Sequence, residues 1–244
     1  MNCHTALLVV GACLAFVLPS HHLRSEEKKP DPALLTLDRI YNSGEFSAKQ
    51  PGLRWLPDSD AYTMLEKSKE ANGRDIVRYD VKTGTSSVMV SAADLAASLE
   101  DSPLSIEGYT FSADLSLVLI YTNSRRVWRT NTRGDYWVLD RTNRQLHQVG
   151  KFAKPSSLMF AKLSPTGEHI AYVYERNIYL EDLRSGEVRQ LTQTPNDHII
   201  NGTFDWVYEE ELGLRDGFRF SPDGQSIAYW QLDTTGVPQI PLVN

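Results

Sequence analysis

Cysteine is nearly absent: Cys3 and Cys13 are the only two in 244 residues, and both lie at the extreme N-terminus. No disulfide framework and no thiolate metal site can therefore form in the body of the chain. Basic residues are also in deficit, 25 against 31 acidic, for a net charge of -6. A general nucleic-acid binder carries the opposite balance, so no nucleic-acid partner is expected. Sequence signatures of bond-breaking chemistry are missing as well. There is no G-x-S-x-G elbow, HExxH, P-loop, GxGxxG or CxxC, so no catalytic residue, metal ligand or cofactor follows from the sequence. Asp197-His198 reads as part of a loop rather than as a dyad, because no nucleophile motif accompanies it.

The apolar run at residues 6–18 (ALLVVGACLAFVL) has only 13 residues, whereas a helix needs about 20 to cross a bilayer. Pro19, Ser20 and a polar stretch follow it. This matches the apolar core of a secretory leader over residues 1–30, although the usual basic residues before it are missing. A buried apolar helix is the plainer reading. Val10-Gly11-Ala12-Cys13 also resembles a lipoprotein cleavage box. The expectation is export, to a periplasmic or extracellular location, with a lipid anchor as a variant of it.

The remainder is ordinary globular composition, 41% hydrophobic with 15 Gly and 12 Pro, and it repeats. Residues 53–65, 109–122, 161–174 and 218–231 each read as an apolar strand, a turn rich in Pro, Asp or Gly, and a second strand. The turns begin at Pro57, Ala113, Pro165 and Pro222, at spacings of 56, 52 and 57 residues. Pro presets the first turn residue, and Gly167 or Gly224 supplies the left-handed one. Second hairpins follow at residues 75–90, 135–149 and 177–192, each with an Asp placed to cap its turn.

Two hairpins per unit make a four-stranded antiparallel blade, and a recurrence near fifty residues is a propeller period. A β-sandwich also has short strands and frequent turns, but it does not predict a recurring turn at near-constant spacing. The expected fold is therefore all-β, an incomplete β-propeller of about three and a half blades. The segment at residues 32–46 adds a helix or a partial blade.

Two segments stand out against the repeats. In residues 201–214 (NGTFDWVYEEELGL), Asp205 is placed to cap a short helix carrying Glu209, Glu210 and Glu211. A charge run is usually a solvated face, whereas the flanking Trp206 and Tyr208 suggest the wall of a site. Residues 124–137 gather Arg125, Arg126, Arg129 and Arg133 around Trp128. Such arginines serve as stacked cations or carbonyl clamps, or merely guard an exposed strand edge.

Asp205-Trp206-Val207-Tyr208-Glu209-Glu210-Glu211 resembles a hallmark of the dipeptidyl peptidase IV family, serine peptidases that release N-terminal dipeptides. Val127-Trp128-Arg129, followed by Asp135-Tyr136-Trp137-Val138-Leu139-Asp140, is similar to the blade that carries the family's substrate-contacting arginine. Leu163-Ser164-Pro165, Ile170-Ala171-Tyr172-Val173, Asn177-Ile178-Tyr179 and Tyr229-Trp230-Gln231 extend the resemblance, which runs over residues 35–244.

The resemblance implies that Glu210 and Glu211 bind the free α-ammonium of a peptide substrate and that Arg129 contacts its backbone carbonyl. Glu209, Trp206, Tyr208 and Trp128 are supporting residues. It also implies a partner α/β-hydrolase domain holding the Ser/Asp/His triad, and a homodimer as the assembly of the full-length enzyme. No triad is recognisable here, so residues 31–244 are expected to be the N-terminal part of the propeller, cut before the catalytic domain and inactive alone. A non-catalytic secreted propeller that only binds is the other reading.

Overall fold

The computed structural model describes residues 31, 33–48, 52–96 and 103–238. The apolar leader, Cys3 and Cys13 lie outside the described residues. The chain divides into two units, Met1–Gln50 and Pro51–Asn244. In the first, helix α1 (Leu37–Tyr41) starts at Thr36, whose hydroxyl accepts from the Arg39 amide. Of the two readings for the segment before the repeats, the helix is the one found. No helix among the described residues is long and apolar enough to cross a membrane.

The second unit is almost wholly antiparallel sheet. The first blade is β1 (Arg54–Trp55), β2 (Ala61–Lys67), β3 (Arg74–Asp80) and β4 (Ser86–Val90). The second is β5 (Gly108–Phe111), β6 (Leu117–Val127), β7 (Thr130–Asp140) and β8 (Gln145–Gln148). The third is β9 (Met159–Leu163), β10 (His169–Tyr174), β11 (Asn177–Asp182) and β12 (Val188–Gln190). In each blade the strands lie side by side in chain order, so the chain forms a β-propeller of four-stranded blades. Beyond the third blade come β13 (Ile199–Asn201), helix α2 (Trp206–Leu212), β14 (Phe218–Phe220), β15 (Ile227–Tyr229) and β16 (Gln231–Asp233).

Capping by the turn aspartates holds as read. Asp80 accepts from the Lys82 and Thr83 amides, Asp140 from Thr142, and Asp182 from Arg184 and Ser185. Asp114 does the same in a first hairpin, where Ser112 and Ser116 hold its carboxyl down at about 2.

Alternation along the central strands makes the blades stack. In β6, Val118 and Ile120 join a core cluster with Ile76 and Val90 of the first blade, whereas Leu119 joins one with Ile170 and Tyr172 of the third. In β10, Ile170, Tyr172 and Tyr174 face the second blade, and Ala171 and Val173 face Phe218 of β14. Successive strand residues point to opposite faces, so both faces of these blades are buried.

Polar ties cross the same seams. Arg54 lies over the Tyr109 ring at 4.5 Å. The buried Glu181 accepts from the Gly150 amide (2.8 Å) and the Tyr172 hydroxyl (3.2 Å), and pairs with His147 Nε2 (2.7 Å). Burial, then Glu181, pushes the Tyr172 hydroxyl far above its ordinary value. Lys162 Nζ donates to Asp216 at 2.6 Å and sits 3.8 Å from the Phe218 ring centre.

The fourth repeat carries one pairing that its hairpin pattern does not announce. Its hairpin β14–β15 forms, but β16 follows directly and pairs with β13, as Ile199↔Asp233 and Asn201↔Gln231. The crossing is made at Gly202, whose amide donates to the Trp230 carbonyl and whose φ is +73°. A Cβ there would lie 2.7 Å from Ile178. The buried Asn201 locks this junction by donating to the Arg176 carbonyl (3.2 Å) and accepting from Gln231 (2.8 Å).

Two outcomes follow for stability. Ile170 is fully buried between blades, so Ile170→Ala should cost about 2–5 kcal/mol in urea unfolding; a loss below about 1 kcal/mol would contradict the two-faced packing. Burial, opposed by Asp216, lowers the Lys162 ammonium from 10.5 to about 8. Between those values the unfolded chain binds more protons than the folded one, so this lysine makes stability rise with pH across that window. Unfolding free energies of the chain and of Lys162→Met should diverge in that sense from pH 8 to 10; parallel profiles would refute the shift.

Candidate functional site

Strands β6 and β7 have 11 residues each, against 7 in the next longest, β2 and β3. Their hairpin extends past the blade to a two-residue turn, Trp128-Arg129, closed by the pair Val127↔Thr130. Its stem is fixed by short-range chemistry. The Tyr121 hydroxyl donates to the carbonyls of Asn131 (3.1 Å) and Arg133 (2.9 Å), and burial, then Glu107, pushes it up to about 12. Gly134 lets that ring approach, since a Cβ there would lie 2.3 Å from Tyr121. Asp135 accepts from Ser156 and Asn123, both at 2.6 Å.

Opposite the tip is α2. Asp205 caps it by accepting from the Tyr208 amide at 3.1 Å, and Gly213, at φ +64°, ends it. The chain then turns back and brings Arg215 beside the helix, where its Nε donates to Glu209 Oε1 at 2.9 Å.

Tip and helix meet at three points. Trp128 packs edge-to-face on Trp206, with ring centres 6.3 Å apart. Arg129 Nε pairs with Glu210 Oε2 at 3.0 Å. Thr130 Oγ1 lies 3.4 Å from Glu209 Oε1. Trp128 has a φ of +58°, a region that costs a bulky residue of the order of 1–3 kcal/mol. The two-residue hairpin turn requires a positive φ at its first central position, and the turn presents Arg129 to the helix.

The structure thus brings together Arg129, Glu210, Glu209, Trp128 and Trp206. It distributes the three glutamates unequally. Glu209 is engaged by Arg215 and Thr130. Glu210 has a side chain only 9% exposed, with one oxygen on Arg129 and the other, Oε1, buried without a hydrogen-bond partner among the described residues. Glu211 is exposed and makes no hydrogen bond or ion pair among them. Tyr208 stacks on Phe204 (5.4 Å), which in turn meets Trp230 (5.9 Å). The partner of Trp128 is another tryptophan, and the nearby Arg126 donates to the Trp128 carbonyl at 3.1 Å rather than stacking on its ring.

Sequence reasoning missed Arg215 and Thr130. Arg215 follows the acidic run by four residues across a glycine, a spacing that carries no signal without the turn at Gly213. Among the described residues no group of three His, Cys, Asp or Glu side chains could hold a metal ion. A carboxylate with one buried, uncommitted oxygen beside an exposed guanidinium can accept a cationic donor and offer donors to a carbonyl.

Residues 112–244 match the family described as the dipeptidyl peptidase IV (DPP IV) N-terminal region. Over 221 residues the chain is 33% identical to a probable dipeptidyl-aminopeptidase B of Podospora anserina, which covers 85% of the chain and 24% of that protein. It is 31% identical over 237 residues to mouse prolyl endopeptidase FAP, covering 96% of the chain and 29% of that protein. The crystal structure of Porphyromonas gingivalis dipeptidyl peptidase 4 superposes with a TM-score of 0.68 at 26% identity, over 80% of this chain and 27% of that one. The chain spans about a quarter of the length of these relatives.

Proposed function

The chain belongs to the dipeptidyl peptidase IV N-terminal region family, and from that premise we propose that it gates substrate and recognises the peptide N-terminus in an exported serine dipeptidyl peptidase. The observation that carries this reading is the state of Glu210. Its Oε2 is held by Arg129, and its Oε1 is buried with no donor among the described residues. A buried carboxylate oxygen left unpaired is costly, and an α-ammonium brings three donors. The α-amino group ionises near 7.7–8.0, and an adjacent carboxylate favours its charged form.

Each residue then has a distinct task. Glu210 accepts the ammonium at Oε1 once its carboxylate turns that oxygen out of its buried position, and the exposed Glu211, next along α2, closes on it from the solvent side. Arg129, with its side chain 67% exposed, keeps N–H donors free for the carbonyl of the first peptide bond. Glu209 does not touch the peptide; its bond to Arg215 holds the end of α2 in place. Trp128 and Trp206 fix the distance between tip and helix. A peptide anchored at its amine presents its second residue at a set depth, where the hydrolase domain of the longer enzyme would supply the nucleophile. Acylating the amine removes its positive charge and all but one of its N–H donors, so Oε1 loses its charged partner and acylated peptides are disfavoured.

Calorimetric titration of the chain with glycyl-proline amide and its N-acetyl form tests this reading. The free amine should bind and the acetylated peptide should bind at least tenfold more weakly. Glu210→Gln should weaken the free-amine peptide about tenfold to a hundredfold, the worth of a hydrogen bond to a charged group. If Glu209→Gln were the crippling change while Glu210→Gln stayed near the original affinity, the assignment would be wrong.

A further inference from the structure

Strands β6 and β7 place Arg125 directly opposite Arg133. Like charges facing each other across a ladder destabilise the pair, so an arrangement of this kind calls for a compensating anion. Both side chains are exposed, and neither guanidinium makes a hydrogen bond or an ion pair among the described residues. Both line a cavity of about 890 Å³ that reaches Glu209 at the edge of the amine site.

The other charges on that wall are matched. Arg215 pairs with Glu209 at 2.9 Å, Arg176 with Asp197 at 3.4 Å, and Lys154 with Glu175 at 3.8 Å. Three cations meet three carboxylates, and the facing arginines are the surplus. Guanidinium forks match carboxylates in a bidentate geometry, and two of them on adjacent strands can hold one carboxylate from both sides.

The distance from the amine site limits where that carboxylate can lie. The Arg125↔Arg133 pair lies two rungs below the tip rung Val127↔Thr130, a separation of about 7 Å at roughly 3.3 Å per strand residue. Arg129 in the tip contacts Glu210, and Glu209 lines the same cavity. A first side chain leaving an amine held at Glu210, and arginine side chains reaching toward it, can together span that separation.

We propose that Arg125 and Arg133 bind an acidic side chain on the first residue of the peptide, giving the protein a preference for substrates that begin with Glu or Asp. The proposal rests on the amine-recognition reading, which fixes the end of the peptide.

The test compares binding of glutamyl-proline amide and glutaminyl-proline amide, which differ only in the charge of the first side chain. At low ionic strength the glutamyl peptide should bind about tenfold tighter, the sum of two exposed ion pairs, and the ratio should shrink as salt is added. Arg125→Gln combined with Arg133→Gln should bring the ratio to about one. Arg125→Glu combined with Arg133→Glu should invert the preference toward lysyl-proline amide, a reversal that loss of folding cannot produce. Equal affinity for the two peptides in the unaltered chain, or a ratio that survives the double replacement, overturns the proposal while leaving the amine anchor intact. Failure of the anchor shows separately, as acetylated and free peptides binding alike. If neither peptide binds, both statements fall.

Discussion

Strand β10 buries Ile170, Tyr172 and Tyr174 on one face and Ala171 and Val173 on the other, and a strand that is apolar on both faces cannot lie at a solvent boundary. It needs a second sheet on each side. Stacking blades satisfies that need, with every seam repeating the same solution: alternate residues of one blade's strands meet alternate residues of the next. Each fully buried Ile, Leu or Val contributes about 1.5–3 kcal/mol by leaving water, and the seams set the blades at fixed distances. The polar ties at the seams, Glu181 with His147 and Lys162 with Asp216, act inside spacing that the apolar residues have already determined.

That spacing makes the site possible. Hairpin β6–β7 belongs to the second blade, whereas α2 is inserted after the third, and 78 positions separate Trp128 from Trp206; the ring contact between them exists because the second and third blades pack against each other. Three consecutive helix positions meet three different surroundings: Glu209 turned to Arg215 as a brace, Glu210 turned to Arg129 with an oxygen to spare, Glu211 open to solvent. Consecutive helix positions differ by about 100°, so three adjacent glutamates could not have done the same job.

Much of the fold was legible because its determinants are local. The Asp-capped turns at Asp80, Asp140 and Asp182 are written within five residues each, and the near-constant spacing of the hairpins signals blades. The pairing of β13 with β16 was not legible: Ile199 and Asp233 are far apart in sequence, and three-residue strands carry no periodicity. Leu115 and Trp128 occupy left-handed backbone at φ +61° and +58°, where sequence favours glycine or asparagine. The candidate site was legible in part. Its members were named by family resemblance and their types by charge, but the unequal roles of Glu209, Glu210 and Glu211 depend on Arg215, which reaches the helix only through the turn at Gly213.

On the proposed reading, one carboxylate oxygen, Oε1 of Glu210, receives the amino terminus of a peptide. A crystal structure of the chain with glycyl-proline amide tests it most directly. The peptide nitrogen should lie about 2.7–3.2 Å from Glu210 Oε1, with the first carbonyl oxygen facing Arg129. An amine seated on Glu209, or a peptide bound away from the tip of β6–β7, would contradict it.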